Sequence, residues 1–132
     1  MIERKTNFRS WIKKAEPDFL AIQNNISAIE TPWDVVCFHA QQVAEKILKA
    51  FLVYHGQSFE KTHDLVQLLA SCVKIETSLS VLEEDCQRLT YYAVSSRYPD
   101  DIYEPDESDG QKAINSAQKI QKSVLSFLVY NE

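Results

Sequence analysis

The sequence predicts an all-α fold, an up-and-down helical bundle of about five helices. Only two of the 132 residues are glycine and four are proline, which is too few for the many turns of a small all-β domain. Neither glycine lies in a Gly-rich phosphate-binding spacing, so Rossmann and P-loop folds are excluded. Apolar residues instead recur at steps of three and four along five segments, which is the spacing of amphipathic helices.

The first predicted helix runs from Phe8 to about Ile29 and contains Pro17. A proline inside a helix removes one backbone hydrogen bond, so we expect the helix either to bend or to break there. The segment Thr31–Asp34 then predicts the start of a second helix, with its threonine as the N-cap and its proline at the first helical position. This second helix is the longest amphipathic segment and is expected to end near Gly56.

Two shorter helices are predicted next. Thr62 is expected to cap the third helix, and the pair Ser80 and Glu83 has the spacing of a capping box for the fourth. The fourth helix is expected to end before Pro99. Because the connections are short, neighbouring helices are expected to pack antiparallel.

An irregular loop and a last helix complete the prediction. The loop from Arg97 to Gly110 contains two prolines and six carboxylates, and the last helix is expected from Gln111 to Tyr130. No internal repeat or linker divides the chain, so we predict a single domain over residues 1–132.

Composition limits the class of partner and the compartment. The chain has 14 Lys and Arg against 19 Asp and Glu, a net charge of −5, which disfavours duplex DNA because that partner requires clustered cations. The three cysteines, Cys37, Cys72 and Cys86, form no Cys-x-x-Cys pair, which favours core positions in a reduced, cytoplasmic protein. The longest unbroken apolar stretch is Ala50–Tyr54, so we expect no signal peptide and no membrane span.

We expect no metal and no cofactor. A di-iron bundle needs paired Glu-x-x-His motifs on facing helices, and the chain does not carry such a pair. The acidic loop lacks the spacing of a calcium-binding EF-hand. No local signature marks a serine or cysteine nucleophile.

The second predicted helix carries a polar row beside its apolar stripe. Its members are separated by three, four and three residues and therefore lie along one face: His39, Gln42, Lys46 and Lys49. Such a row can line a ligand-binding groove, and it also fits a solvated helix flank with a Gln42–Lys46 pair. His63, next to the predicted cap of the third helix, fits a structural histidine better than a catalyst.

Arg97 is the other candidate for chemistry. It lies at the end of the fourth predicted helix, beside Tyr98 and before a proline that restrains the backbone. An arginine in this position can bind a phosphate through two hydrogen bonds. Alternatively, it is a helix-end charge that Asp100 or Asp101 neutralises.

Four segments together resemble the HEPN domain of small prokaryotic proteins, and these are Trp11–Asp18, Phe38–Ala50 (FHAQQVAEKILKA), Lys61–Leu65 (KTHDL) and Ser96–Asp100 (SRYPD). The similarity extends from near residue 8 to near residue 128. It implies a bundle with a four-helix core that commonly forms a homodimer. Such proteins are often made with a minimal nucleotidyltransferase as a toxin–antitoxin-like pair.

The resemblance also suggests a function. Many HEPN proteins are metal-independent ribonucleases with an Arg-x4-6-His motif, in which the arginine stabilises phosphate charge and the histidine acts as acid or base. Arg97 matches the arginine, but no histidine follows it. The favoured interpretation is therefore a non-cleaving module that binds a nucleotide or RNA phosphate, or a nucleotidyltransferase, through His39, Gln42, Lys46, Arg97, Tyr98 and Asp100.

Two alternatives stay open. One is a metal-independent ribonuclease in which His39 or His63 takes the place of the missing histidine and acts with Arg97. The other is a dimeric scaffold whose acidic loop docks on a basic partner. The family also includes proteins that the nucleotidyltransferase modifies with AMP on a tyrosine near the motif, which makes Tyr103, or Tyr98, the candidate for modification.

Overall fold

The computed structural model describes the backbone of residues 2–59, 61–95 and 104–128, and the side chains within 7–59, 61–92 and 104–128. These residues form five α-helices and no strand, which confirms the predicted all-α fold. The helices are α1 (Ile2–Ile26), α2 (Trp33–Tyr54), α3 (Leu65–Val73), α4 (Glu83–Ser95) and α5 (Glu107–Leu125). A 3-10 helix, Thr77–Leu82, leads directly into α4.

The helix α2 is the centre of the bundle. It contacts each of the other four α-helices, whereas α1 contacts only α2 among the described helices. The predicted apolar stripe of α2 is fully buried at Val36, Ala40, Val43, Ile47 and Ala50. Burial of large apolar side chains on several sides of one helix is what holds the other helices around it.

The first helix is not broken at Pro17, which lies within the continuous helix α1. Pro17 and Lys13, whose carbonyl loses its helical partner, are both on the exposed side of α1, where water can hydrate that carbonyl. The helix ends at Ile26 rather than Ile29. Ile26 and Ile29 are both exposed, so the apolar repeat after Ile22 does not face the core.

The predicted caps of α2 and α3 are displaced along the chain. Pro32, not Thr31, is the N-cap of α2, and no side chain completes that cap. Asp64, not Thr62, caps α3, because its side chain accepts hydrogen bonds from two backbone amides of the first turn. Thr62 Oγ1 accepts a hydrogen bond from the Asp64 amide at 3.0 Å, so the threonine positions the cap instead of forming it.

The starts of α4 and α5 also differ from prediction. Ser80 forms no capping box, because residues 77–82 are already a 3-10 helix that continues into α4. The last helix begins at Glu107 instead of Gln111, with a capping box between Asp106 and Asp109. The end of the predicted acidic loop is therefore the first turn of α5, where carboxylates favourably face the positive end of the helix dipole.

The end of α2 and the state of the cysteines match the predictions. Gly56 has a φ of 72°, the left-handed conformation in which glycine commonly ends a helix. The cysteines are buried free thiols. Burial raises the pKa of Cys37, Cys72 and Cys86 to about 12, so these thiols stay protonated and act as core side chains. Within the part of the chain that is described, no helix is long and apolar enough to cross a membrane.

A buried polar contact joins α4 to α5. Ser116 Oγ donates to Asp85 Oδ1 at 2.8 Å and accepts from Arg88 at 2.9 Å. Lys119 Nζ lies 3.2 Å from Asp85 Oδ2. Asp85 and Ser116 are both buried, and these partners satisfy their hydrogen-bonding capacity.

A close approach between α2 and α5 depends on a glycine. A Cβ atom added at Gly110 would overlap Trp33 Cε3 and lie 2.8 Å from Cζ3. Gly110 is buried within the first turns of α5. The absence of a side chain at this position therefore lets the indole of Trp33 pack directly against the α5 backbone.

Replacing Gly110 by alanine is expected to lower the free energy of unfolding by about 1 to 3 kcal/mol, because the new methyl group meets the Trp33 ring. Without the Trp33 ring there is no clash, and only the higher helix propensity of alanine over glycine remains. The same change in a Trp33→Ala background is therefore expected to be neutral or stabilising. Urea unfolding of the complete double-mutant cycle measures both effects, and an equal loss in the two backgrounds would contradict the close packing.

Candidate functional site

Four polar side chains of α1 and α2 are buried. Asp18 of α1 is 6% exposed, and Gln41, Glu45 and Lys49 of α2 are 1%, 5% and 7% exposed. The three residues of α2 follow one another at steps of four, so they share one side of the helix. Because unpaired buried polar groups are strongly unfavourable, the partners of these four side chains define the site.

The first group is the Asp18 cluster, formed by Asp18, His39 and Lys46. His39 Nδ1 lies 2.8 Å from Asp18 Oδ1, and Lys46 Nζ donates to Asp18 Oδ2 at 2.5 Å. The side chains of His39 and Lys46 are 25% and 22% exposed, against 8% for Asp18. A buried carboxylate of α1 thus holds two basic groups of α2 at the edge of the solvent.

The second group is the Glu45 cluster, formed by Gln41, Glu45, Lys49 and His63. Lys49 Nζ donates to Glu45 Oε2 at 2.9 Å. The other oxygen, Oε1, lies 2.9 Å from His63 Nδ1 and accepts from Gln41 Nε2 at 3.1 Å. Gln41 Nε2 also donates to the His63 carbonyl at 2.9 Å. The segment before α3 is therefore attached to α2 through both the side chain and the backbone of His63.

Aromatic rings cover the cation of the Glu45 cluster. The Lys49 ammonium lies 5.5 Å from the ring centre of Trp11 and 5.4 Å from that of Phe59. The two rings contact each other edge to face, with centres 5.9 Å apart. Cation–π attraction and the carboxylate together compensate for the desolvation of Lys49. This contact also joins α1, α2 and the segment that follows α2.

The environment of Glu45 lowers its pKa. Burial alone raises the pKa of a carboxyl group, but hydrogen bonds from Lys49, His63 and Gln41 and the positive charge of Lys49 outweigh the burial. The net effect holds the pKa of Glu45 below its ordinary value. Glu45 is therefore an ionised, buried carboxylate at neutral pH.

The polar row occupies one side of α2, but its side chains are already engaged. His39 and Lys46 bind Asp18, and Lys49 binds Glu45. Gln42 donates to Gln41 Oε1 at 2.7 Å instead of pairing with Lys46. Each basic member of the row thus has a buried carboxylate partner, and Gln42 connects the row to the Glu45 cluster.

The partners of the row were missed by sequence reasoning. Asp18 lies three residues after buried Ala15 and four before buried Ile22, so it occupies a core-facing position on α1. A carboxylate at such a position signals a buried basic partner, and this signal was available in the sequence. Gln41 and Glu45 likewise alternate with apolar core residues of α2.

Both histidines have the orientation used in acid–base chemistry. An ionised carboxylate only accepts hydrogen bonds, so the Nδ1 atoms of His39 and His63 carry the protons that they share with Asp18 and Glu45. Within the described residues, the Nε2 atom of each ring has no hydrogen-bond partner. A neutral imidazole in this orientation presents a base at Nε2, and a protonated one presents a donor.

The remaining predicted site residues, Arg97, Tyr98, Asp100 and Tyr103, lie outside the described residues. Their grouping with the polar row stays a prediction. Among the side chains that are described, no three His, Cys, Asp or Glu residues lie together in an arrangement that could hold a metal ion.

Comparison with known proteins identifies the family. A family model described as the HEPN domain matches residues 8–127. The chain belongs to the HEPN family. The comparison with curated proteins and the comparison with solved structures return no match.

The HEPN match includes both polar clusters. It begins within α1, before Trp11 and Asp18, and ends after α5. The Asp18 and Glu45 clusters are thus part of the HEPN domain itself. The helices that the match covers are the bundle described above, in which Asp18 of α1 contacts the polar row and His63, before α3, contacts Glu45.

Replacing Glu45 by glutamine is expected to lower the free energy of unfolding by about 3 to 5 kcal/mol at pH 7, because the Lys49 ammonium stays buried without a counter-charge. Adding Lys49→Met is expected to recover most of this loss, since both charges are then removed. Urea unfolding measures each variant. Glu84→Gln, a change at an exposed carboxylate of α4, is the control and should have little effect. If the Glu45→Gln variant is as stable as the wild type, the fold does not require the negative charge of Glu45.

The lowered pKa of Glu45 also predicts how stability depends on pH. A carboxyl group whose pKa is lower in the folded than in the unfolded protein stabilises the fold above its unfolded pKa, about 4.3. This contribution is lost as the pH falls through the folded pKa. Between pH 7 and pH 3, the unfolding free energy of Glu45→Gln/Lys49→Met is therefore expected to fall less steeply than that of the wild type. Equal slopes in the acid range would contradict the lowered pKa.

Proposed function

We propose that this HEPN protein is a non-cleaving module that binds the phosphate of a nucleotide or RNA and acts with a partner nucleotidyltransferase in a toxin–antitoxin-like pair. The observation that carries the proposal is the Asp18 cluster. It presents two basic side chains, His39 and Lys46, at the solvent edge of α2. Gln42 lies between them on the same face and is also partly exposed.

The Asp18 cluster supplies donors for a phosphate oxygen. Lys46 has three N–H groups, and Asp18 is its one recorded partner among the described residues, so further N–H groups are available to a ligand. Protonated His39 donates from Nε2. Because Asp18 offsets part of the positive charge, we expect moderate affinity that weakens as salt increases.

We expect no cleavage because of the sequence of the motif. No histidine follows Arg97, so the arginine lacks the neighbouring acid or base that the HEPN ribonuclease motif requires. In this proposal Arg97, Tyr98 and Asp100 join the Asp18 cluster around the phosphate. The homodimer, the nucleotidyltransferase and the modification of Tyr103 are proposed on the resemblance to the family.

A second candidate function is a metal-independent ribonuclease with a relocated histidine. The specific observation in its favour is that Asp18 and Glu45 orient His39 and His63 through Nδ1. A carboxylate that orients an imidazole in this way stabilises the imidazolium formed during proton transfer. The candidate requires one of these rings to act together with Arg97 on the same phosphate.

Phosphate binding is tested by titrating the purified protein with ATP, AMP and a short single-stranded RNA. The Lys46→Gln variant is expected to bind about 3- to 10-fold more weakly, because it loses a charged donor to phosphate. Lys122→Gln changes an exposed lysine of α5 and is the control for net charge. Equal weakening by the two variants, or no binding by the wild type, would contradict the proposal.

The two candidate functions are separated by incubating RNA with the protein in EDTA. A HEPN ribonuclease with an intact Arg-x4-6-His motif serves as the positive control. We expect no cleavage by the wild type beside an active control. Cleavage that is lost in Arg97→Ala and in one of His39→Gln and His63→Gln would establish the ribonuclease instead.

A further inference from the structure

A cavity of about 360 Å³ lies between α3 and the segment that precedes it, outside both polar clusters. Its volume is in the lower part of the range for small-molecule sites. The described residues that line it are Ser58, Phe59, Thr62, Gln67, Leu68 and Ser71. None of these six side chains carries a charge, so the described wall is not suited to a phosphate or a metal ion.

The polar groups of this wall are available to a ligand. Thr62 Oγ1 accepts one hydrogen bond from the chain. Within the described residues, the side chains of Ser58, Gln67 and Ser71 make no hydrogen bond. Two hydroxyl groups and one amide, each able to donate and to accept, therefore face a solvent-accessible space.

The apolar part of the wall complements the polar part. Phe59 and Leu68 provide an aromatic ring and an aliphatic side chain beside the amide of Gln67. A nucleobase combines flat apolar faces, which stack on aromatic side chains, with an edge of donors and acceptors that an amide recognises. The wall thus has the chemistry of a neutral heterocycle site.

Residues already described connect the wall of the cavity to the Glu45 cluster. Thr62 in its wall precedes His63, which binds Glu45. Phe59 in its wall contacts Trp11 and covers Lys49. Through Gln41 and Gln42 the Glu45 cluster continues into the polar row of α2.

We propose that this cavity binds an uncharged nucleobase, as the base-recognising part of the nucleotide or RNA ligand, an inference that rests on the proposed function. Gln67 reads the polar edge of the base, and Phe59 supplies the apolar contact. The phosphates of the same strand lie outside the cavity, towards the basic side chains of α2.

The location of the ligand is tested by titrating the isotopically labelled protein with adenosine, uridine and inorganic phosphate and following the backbone amide resonances. We expect the nucleosides, which carry no phosphate, to shift the amides of Ser58, Thr62, Gln67 and Ser71. Inorganic phosphate is expected to leave these four amides unchanged. Nucleoside shifts confined to Gly56 and Gln57, which line a second cavity of about 280 Å³, would overturn the proposal, as would shifts at the cavity caused by phosphate alone.

Two variants test the role of the wall. Gln67→Ala is expected to weaken nucleoside binding about 3- to 10-fold, because it removes the amide hydrogen bonds. Ser71→Leu is expected to weaken it as strongly by filling the cavity. Gln118→Ala removes an exposed glutamine of α5 and should leave the affinity unchanged. Circular dichroism establishes that each variant is folded, and unchanged nucleoside affinity in folded Gln67→Ala and Ser71→Leu would overturn the proposal.

RNA titration of the same proteins separates this proposal from the proposed function. RNA binding that Lys46→Gln weakens, but Gln67→Ala and Ser71→Leu leave intact, supports the phosphate site and overturns the base site. Nucleoside binding in the cavity without any RNA binding supports the base site and overturns the proposed function. No binding of any ligand by the wild type overturns both.

Discussion

The carboxylate of Glu45 is buried at the centre of the bundle, and its surroundings connect elements that are distant in sequence. Its two oxygens take hydrogen bonds from Gln41, Lys49 and His63, and the Lys49 ammonium in turn lies against rings from α1 and from the segment after α2. An ionised group at this depth is tolerated only when every one of these contacts forms together. The packing of α1 and of the approach to α3 around α2 is therefore coupled to one charge.

The helices were predictable because their apolar residues repeat at helical spacing, which local sequence records directly. The helix boundaries were less predictable. Thr31 and Thr62 have good capping side chains, yet Pro32 and Asp64 occupy the caps. In the acidic segment, Asp106 and Asp109 form a reciprocal cap that extends α5 backwards into residues expected to be a loop. Which residue becomes the N-cap depends on where the packed helix begins, and a local capping motif does not carry that information.

The carboxylate partners of the candidate site could not be predicted from local spacing. The spacing of His39, Gln42 and Lys46 predicted one shared helix face, and all three residues lie on α2. Their carboxylate partner, Asp18, comes from another helix, 21 residues before His39 and 28 before Lys46. These contacts follow from the antiparallel packing of α1 on α2, in which Phe8 contacts Tyr54 and Asp18 contacts His39. The apolar spacing of each helix does not determine how far one helix is shifted along the other.

The ion pairs between α1 and α2 connect the position of α1 to the charge on the surface of α2. Among the described helices α1 contacts only α2, and its Trp11 also contacts Phe59 in the segment after α2. Local unfolding that begins at α1 would break these contacts first. Detachment would carry Asp18 away from His39 and Lys46. The face of α2 that carries His39 and Lys46 would then be basic instead of charge-compensated. An anion that prefers this basic face would, by mass action, favour the detached state.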